Sequence, residues 1–290
     1  MGVDLNKMPL VTVYIPTYNR INLLKRAINS VLAQTYCNYE IIVVDDNSND
    51  GTQEYLKEIA LENKKIRYFL KKENSGACVS RNIAISNAKG EFITGLDDDD
   101  YFLENRLQNF IDNISLLNHN IFIFSNMLFD KNGKLRKKSS FRPKIVEKKH
   151  LIYGNYIGNQ IFCYTSSIKK IQGFDEDLKA WQDWDCWYRL LDNNKAVFLE
   201  YNDYVVDDND RLRITTKNRK EKIMNVYNYL CLKYSFTNID KKIFLVNFLG
   251  YRLNVNILNC IFFRKNDLKY ILTIWFWVRV FNCIKFKIFS

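Results

Sequence analysis

The chain has 290 residues, 47% of them hydrophobic, enough to bury a sizeable core as one large domain or as a domain with an appendage. Its 43 basic against 32 acidic side chains leave a net charge of +11, which favours polyanionic partners: nucleic acid, anionic lipid or phosphorylated substrates. Seven cysteines, scattered with no CxxC and no histidine nearby, argue against a disulfide framework or a zinc site and fit a reducing cytoplasm.

Residues 1–9 lack the charged-then-apolar layout of a signal peptide. The β-branched run at 10–15 predicts a strand, and Pro16-Thr17-Tyr18-Asn19-Arg20 turns out of it. Ile21, Leu24, Ile28, Val31 and Leu32 then fall on one face of a helix. A second strand at 39–44 runs into Asp45-Asp46-Asn47-Ser48-Asn49-Asp50-Gly51, a helix follows near 52–62, and 66–70 is a third strand. Asn74-Ser75-Gly76 opens a helix through Ala88, and 91–96 is a fourth strand. Strands alternating with helices at this pace imply βαβ units and an α/β fold with a mostly parallel, doubly wound sheet. The strand ends carry Thr17, Asp46, Asn74 and the run Asp97-Asp98-Asp99-Asp100, all on the edge where such sheets bind ligands. Neither GxGxxG nor a P-loop is present, which disfavours dinucleotide-binding and ATPase versions of this architecture.

The acidic run follows a buried-looking strand broken at Gly95. Carboxylates packed so closely repel one another and rise in pKa unless a cation sits among them. Hard oxygen ligands suit Mg²⁺ or Mn²⁺, ions commonly held by one or two carboxylates together with substrate phosphates. Runs of like charge are usually solvated loops; the position behind a strand favours the metal.

Leu103, Leu107, Phe110, Ile114 and Leu117 mark a further amphipathic helix, 121–125 another strand, and the basic stretch 131–149 an exposed loop or hairpin. Gly173-Phe174-Asp175-Glu176 precedes Trp181-Gln182-Asp183-Trp184-Asp185, where Asp183 lies among tryptophans at a helix N-terminus. Aromatic spacing of this kind is ordinarily core packing, but desolvation there lifts a carboxylate toward the range useful for a base. From Lys217 the chain reads as helical, basic and aromatic, which divides it into 1–216 and 217–290. The apolar run at 270–278 is too short to span a bilayer and ends at Arg279, so no transmembrane helix is expected. Arg252, Arg264, Lys265, Lys269, Lys285 and Lys287 among large apolar side chains suit a membrane interface or a helical layer packed on protein.

Taken together, the motifs at 16–20, 43–51, 74–76 with Arg81-Asn82, 96–100, 173–175 and 182–185 resemble the family 2 inverting glycosyltransferases of GT-A fold, over roughly residues 10–216. The resemblance implies a Rossmann-like GT-A catalytic domain at 1–216, with a nucleotide-sugar half at about 1–103 and an acceptor half at about 104–216, followed by a helical basic extension at 217–290. It implies nucleotide-sugar contacts from Pro16, Thr17, Tyr18, Asp46, Arg81, Asp97 and Asp98, with Asp46 accepting the uracil N–H. Asp99 and Asp97 match the metal-binding aspartates, for Mn²⁺ or Mg²⁺, and Asp183 matches the catalytic base. Trp181, Asp185, Arg211 and Arg213 are further candidates for diphosphate or acceptor contacts. Gln182 departs from the family's usual Glu, and the QxxRW motif of processive synthases is missing, which argues for adding a single sugar.

The implied partners are a UDP-hexose donor, glucose or galactose favoured, and a polyprenyl-diphosphate-linked sugar acceptor such as N-acetylglucosamine on diphospho-undecaprenol in O-antigen synthesis. The implied location is cytoplasmic, peripheral on the cytoplasmic face of a bacterial inner membrane and drawn to its anionic surface, with oligomers compatible and no specific nucleic acid bound. Two rivals fare worse. A sugar-nucleotidyltransferase wants a Gly- and basic-rich loop after the first strand, which 16–20 does not supply, and a nucleic-acid module wants a basic stripe with stacking aromatics.

Overall fold

The computed structural model describes residues 8–118, 120–137, 142–209, 219–245 and 247. Arg211, Arg213 and the tail beyond 247 lie outside the described residues, so the expectations placed on them are not carried forward.

The first half alternates as its periodicity predicts: β1 (Val11–Thr17), α1 (Ile21–Leu32), β2 (Tyr39–Asp45), α2 (Thr52–Glu62), β3 (Ile66–Leu70), α3 (Ala77–Asn87) and β4 (Phe92–Gly95). Every residue of β1 and β2 is buried, as in parallel strands covered on both faces. The four strands pair in parallel in the order β3-β2-β1-β4, with Val13 opposite Ile41 and Val11 opposite Phe92. Glu40, itself buried, pins this half together. It accepts from Thr12 Oγ1 at 2.7 Å, Arg67 Nη1 at 2.8 Å and Lys89 N at 2.7 Å, tying three strands to the approach of β4. Burial pushes its carboxyl pKa up, but these donors outweigh it and hold it below the usual range.

The second half is β5 (Tyr101–Phe102), α4 (Arg106–Ile111), β6 (Phe122–Lys131), β7 (Lys134–Lys137), β8 (Ile145–Glu147), β9 (Phe162–Tyr164), α5 (Thr165–Lys170), α6 (Gln182–Leu190), β10 (Lys195–Asp207), α7 (Arg219–Lys233) and α8 (Asn238–Leu245). The sheet continues from β4 as β9-β6-β10-β5, and it is here that the parallel rule gives way. The short β9 runs antiparallel to both β4 and β6. It is reached through the connection after β8 rather than through a strand–helix crossover, so nothing imposes a parallel entry. The basic stretch opens as a hairpin: β6 and β7 pair antiparallel across Asn132 and Gly133, both at positive φ, the residues a two-residue turn favours.

Trp184 and Trp187 of α6 are fully buried, and α7 and α8 close over the same cluster. Trp184 meets Phe244 at 4.7 Å between ring centroids and Tyr188 meets Tyr234 at 4.5 Å. Over its described residues, 219–245 and 247, the extension therefore packs on protein. Among the described residues no helix is long and apolar enough to cross a membrane.

Candidate active site

Three segments converge at the C-terminal edge of the parallel strands. Pro16, Thr17, Tyr18 and Arg20 leave β1, Asp46 leaves β2, and Asp97, Asp98 and Asp99 follow β4. Together with Ala77, Ser80 and Arg81 of α3 they line one open cavity of about 170 Å³. Every residue expected to contact the nucleotide sugar is among them, although they are spread over more than eighty positions of sequence.

Asp46 is buried and accepts from the backbone N–H of Ser75 and of Gly76, each at 2.9 Å, and from Lys71 Nζ. Gly76 sits at φ +95°, a conformation only glycine adopts cheaply, and this turns its N–H inward. An ionised carboxylate offers about four lone-pair sites. Three donors leave one acceptor site for a ligand N–H.

The acidic run divides by direction. Asp100 is buried and accepts from Tyr204 Oη at 2.7 Å and Asp207 N at 3.1 Å, so it ties the loop to β10 and takes no part in the cavity. Asp98 accepts from Thr17 Oγ1 at 2.9 Å, and Arg20 Nη1 bridges Asp98 at 2.9 Å and Asp99 at 2.7 Å. Burial pushes the Asp98 carboxyl up to about 6 against the pull of Arg20, and burial and then Asp97 push Asp99 up as well. Asp97 Oδ1 accepts from Arg81 Nη2 at 3.0 Å and Gln160 Nε2 at 3.3 Å, and its other oxygen accepts no hydrogen bond among the described residues. The side chains of Asp97 and Asp99 are 23% and 40% exposed, enough to meet an ion entering the cavity. Among the described residues no cluster of three metal-ligating side chains exists. Two accessible carboxylates suit a divalent cation that completes its shell with phosphate oxygens and water. The donor set therefore fits Mn²⁺ or Mg²⁺.

Gly95, the break before this run, is required by close approach. A Cβ there would lie 2.1 Å from Gln160 Oε1 and 2.4 Å from the Tyr14 ring. Tyr14 Oη donates to Gln160 Oε1 at 3.0 Å, and Gln160 in turn holds Asp97. Gly95→Ala is expected to displace Gln160 and loosen Asp97, lowering turnover on the order of 10²-fold, as an ångström of misplacement does. Circular dichroism should show the fold retained, and a rate within twofold of wild type would contradict the account.

Asp183 occupies the first turn of α6, whose N-cap Trp181 is in the left-handed region at φ +61°. Asn155 Nδ2 donates to Asp183 Oδ2 at 2.8 Å. Burial pushes its carboxyl up to about 6, offset by the Trp184 N–H, Arg81 and Asn155 and reinforced by Asp97. The link to the cavity behind β1, β2 and β4 is Arg81. One guanidinium reaches Asp97 with Nη2 and, with Nη1 at 2.8 Å, Oε1 of Gln182, the residue beside Asp183. The departure at position 182 thus has a structural use: a neutral acceptor leaves Asp97 as the carboxylate that neutralises Arg81.

Two expectations need correcting or narrowing. Asp185, a candidate for diphosphate or acceptor contact, is fully buried and faces away. It accepts from Arg189 Nε at 2.9 Å, Lys233 Nζ at 2.8 Å and Tyr234 Oη. Two residues along a helix is about 200° around it, so Asp183 and Asp185 cannot serve one cavity. Trp181 does not line that cavity and packs its ring against Trp184 and Phe244. Conversely, Arg20, Lys71, Asn155 and Gln160 carry contacts at the site that their sequence positions did not announce. Arg20 stood inside a recognised motif; the others sit in connections with no periodic pattern.

The sequence profile described as Glycosyl transferase family 2 matches residues 12–171. WcaA of Escherichia coli K12, a glycosyl transferase assigned to colanic acid biosynthesis, is 40% identical over 186 residues, 63% of this chain and 66% of WcaA. The GalNAc(5)-diNAcBac-PP-undecaprenol beta-1,3-glucosyltransferase of Campylobacter jejuni is 31% identical over 175 residues, 59% of this chain and 56% of that protein. The matches thus span somewhat under two thirds of either relative. Among solved structures, Staphylococcus aureus TarS 1-349 in complex with UDP superposes with a TM-score of 0.64 at 21% identity, covering 89% of this chain and 76% of the other. The mannosyltransferase PcManGT of Pyrobaculum calidifontis, in complex with GDP-Man and Mn²⁺, gives 0.57 at 17% identity, covering 97% and 76%. These likenesses identify the fold as that of GT-A glycosyltransferases.

Proposed function

This chain belongs to glycosyl transferase family 2, and from that premise we propose that it transfers a single hexose, with inversion, from a UDP-sugar to a lipid-linked sugar. The observation that carries the proposal is Arg81, which spans from Asp97 in the donor cavity to the helix bearing Asp183 and so gives donor and base a common wall.

In this reading the remaining acceptor site of Asp46 takes the uracil N–H, and Thr17, Tyr18 and Pro16 frame the base. Asp97 and Asp99 would hold a divalent ion, with Arg20 and Arg81 adding positive charge near the diphosphate. A bound divalent cation supplies stabilisation of the negative charge that develops on departing UDP. Asp183 accepts the proton of the acceptor hydroxyl as its oxygen bonds to the anomeric carbon from the face opposite UDP, and the bond to the diphosphate breaks. One displacement converts an α-linked donor into a β-linked product.

The acceptor class rests on the Campylobacter jejuni relative, whose name specifies a polyprenol-linked substrate and a β linkage. Glucose or galactose as the sugar, N-acetylglucosamine on diphospho-undecaprenol as the acceptor, and action at the cytoplasmic membrane face belong to the same proposal. Release of nucleoside diphosphate from a panel of UDP- and GDP-sugars, with and without Mn²⁺, tests it. UDP-glucose or UDP-galactose should be turned over in the presence of the ion; preference for a GDP-sugar would overturn the assignment of Asp46.

A further inference from the structure

We propose that Asn155 is a positioning residue for the transfer, fixing the Asp183 carboxylate through its side-chain amide; this rests on the reading of Asp183 as the base. The amide is used at both ends. Nδ2 donates to Asp183 Oδ2 at 2.8 Å, while Oδ1 accepts from Ile157 N at 3.2 Å and Gly158 N at 3.0 Å. Turning the amide over would set a carbonyl against a carboxylate and an NH₂ against two N–H groups, so its orientation is decided by its partners.

The segment that carries Asn155 is held on several sides. Trp187 Nε1 of α6 donates to Gly158 O at 2.9 Å, and Arg142 Nη1 donates to Tyr156 O at 3.1 Å and Ile157 O at 2.8 Å. Gly158 is at φ +97°, and a Cβ there would lie 2.8 Å from Met127 Cε. Five residues further on, Gln160 holds Asp97. One short connection thus reaches the base with its first amide and the donor carboxylate with its second. A side chain needed only to cap the turn would be satisfied by Oδ1 alone; the donor aimed at Asp183 is what a base requires to stay oriented and ionised in a desolvated place.

The groups facing Asp183 are Arg81 from α3 and Asp97 from the acidic loop, with the Trp184 N–H of its own helix and Asn155 opposite. Of these, Asn155 can be altered without touching the donor cavity's lining.

Asn155→Asp separates the two uses of the amide. The substituted carboxylate still caps Ile157 and Gly158, but the donor to Asp183 becomes a like charge. The acid limb of kcat against pH is expected to move upward by about one pH unit or more, since losing a hydrogen bond to the ionised form and gaining a neighbouring charge act in the same direction. UDP affinity should be unchanged. The Asp183 carboxyl, assigned by its disappearance in Asp183→Asn and followed by ¹³C NMR, should titrate higher by the same amount. A carboxyl that titrates as in wild type overturns this inference alone. Full turnover by Asp183→Asn overturns the base assignment itself, whatever Asn155 does.

Discussion

Asp183→Asn is expected to lower turnover by about 10²–10⁴-fold, the usual contribution of a positioned general base, and to leave UDP affinity unchanged. Asparagine keeps the shape and can still meet Asn155, so the loss falls on proton acceptance. The pH dependence of the wild-type enzyme follows from the same carboxyl. Burial lifts it to about 6, so below that pH it is protonated and cannot act, and turnover should fall as pH drops through 6. The sign for stability is opposite. A carboxyl whose folded pKa lies above its unfolded value binds its proton more tightly when folded, so ionising it as pH rises costs folding free energy. The Asp183→Asn substitution removes that cost, and the variant should melt no lower than wild type at pH 8, an exchange of stability for activity common at catalytic sites. A variant that loses both activity and the melting transition would assign Asp183 to the core.

Asp99→Ala should have an effect of comparable size for a different reason. A bound divalent ion stabilises departing negative charge by several kcal/mol, on the order of 10²–10³-fold in rate. Of the four aspartates, Asp99 has an exposed carboxylate held by Arg20, whereas Asp98 is buried against Thr17 and Arg20 and Asp100 against Tyr204. Removing Asp99 leaves Arg20 paired with Asp98, so the loop should keep its shape. Turnover should fall, the Mn²⁺ concentration giving half the maximal rate should rise, and EDTA should reproduce the loss in the wild-type protein. A rate indifferent to both EDTA and Asp99→Ala would remove the ion from the account.

Much of this was legible before any coordinates. The alternation from β1 to β4 is carried by continuous apolar strands and one-sided helices, so their order follows from period and length alone. The polar strand ends then had to share an edge, and Asp46, Arg81 and Asp97 do meet there. The mixed half was less legible because β9 is three residues long, too short for a pattern, and its partners are chosen by tertiary packing. Asp185 shows a different failure. Its place in the family motif implied a contact with ligand, but helical periodicity turns it away from Asp183, and in the fold it meets Lys233 and Tyr234. Asn155 and Gln160 escaped notice because a side-chain amide in an irregular connection leaves no periodic trace; only the fold brings it to a carboxylate. For the basic, aromatic extension the sequence left a membrane interface and a layer packed on protein both open; in its described part Phe244 meets Trp184 and Tyr234 meets Tyr188.

The central claim is that UDP is displaced in one step from a donor seated over Asp97 and Asp99 by an acceptor activated at Asp183. NMR of the product formed from an α-linked UDP-hexose and a synthetic lipid-diphosphate sugar tests it most directly, through the anomeric coupling of the new linkage. The account predicts a β-glycoside. An α-glycoside would require a second displacement or a front-face attack, and would contradict it.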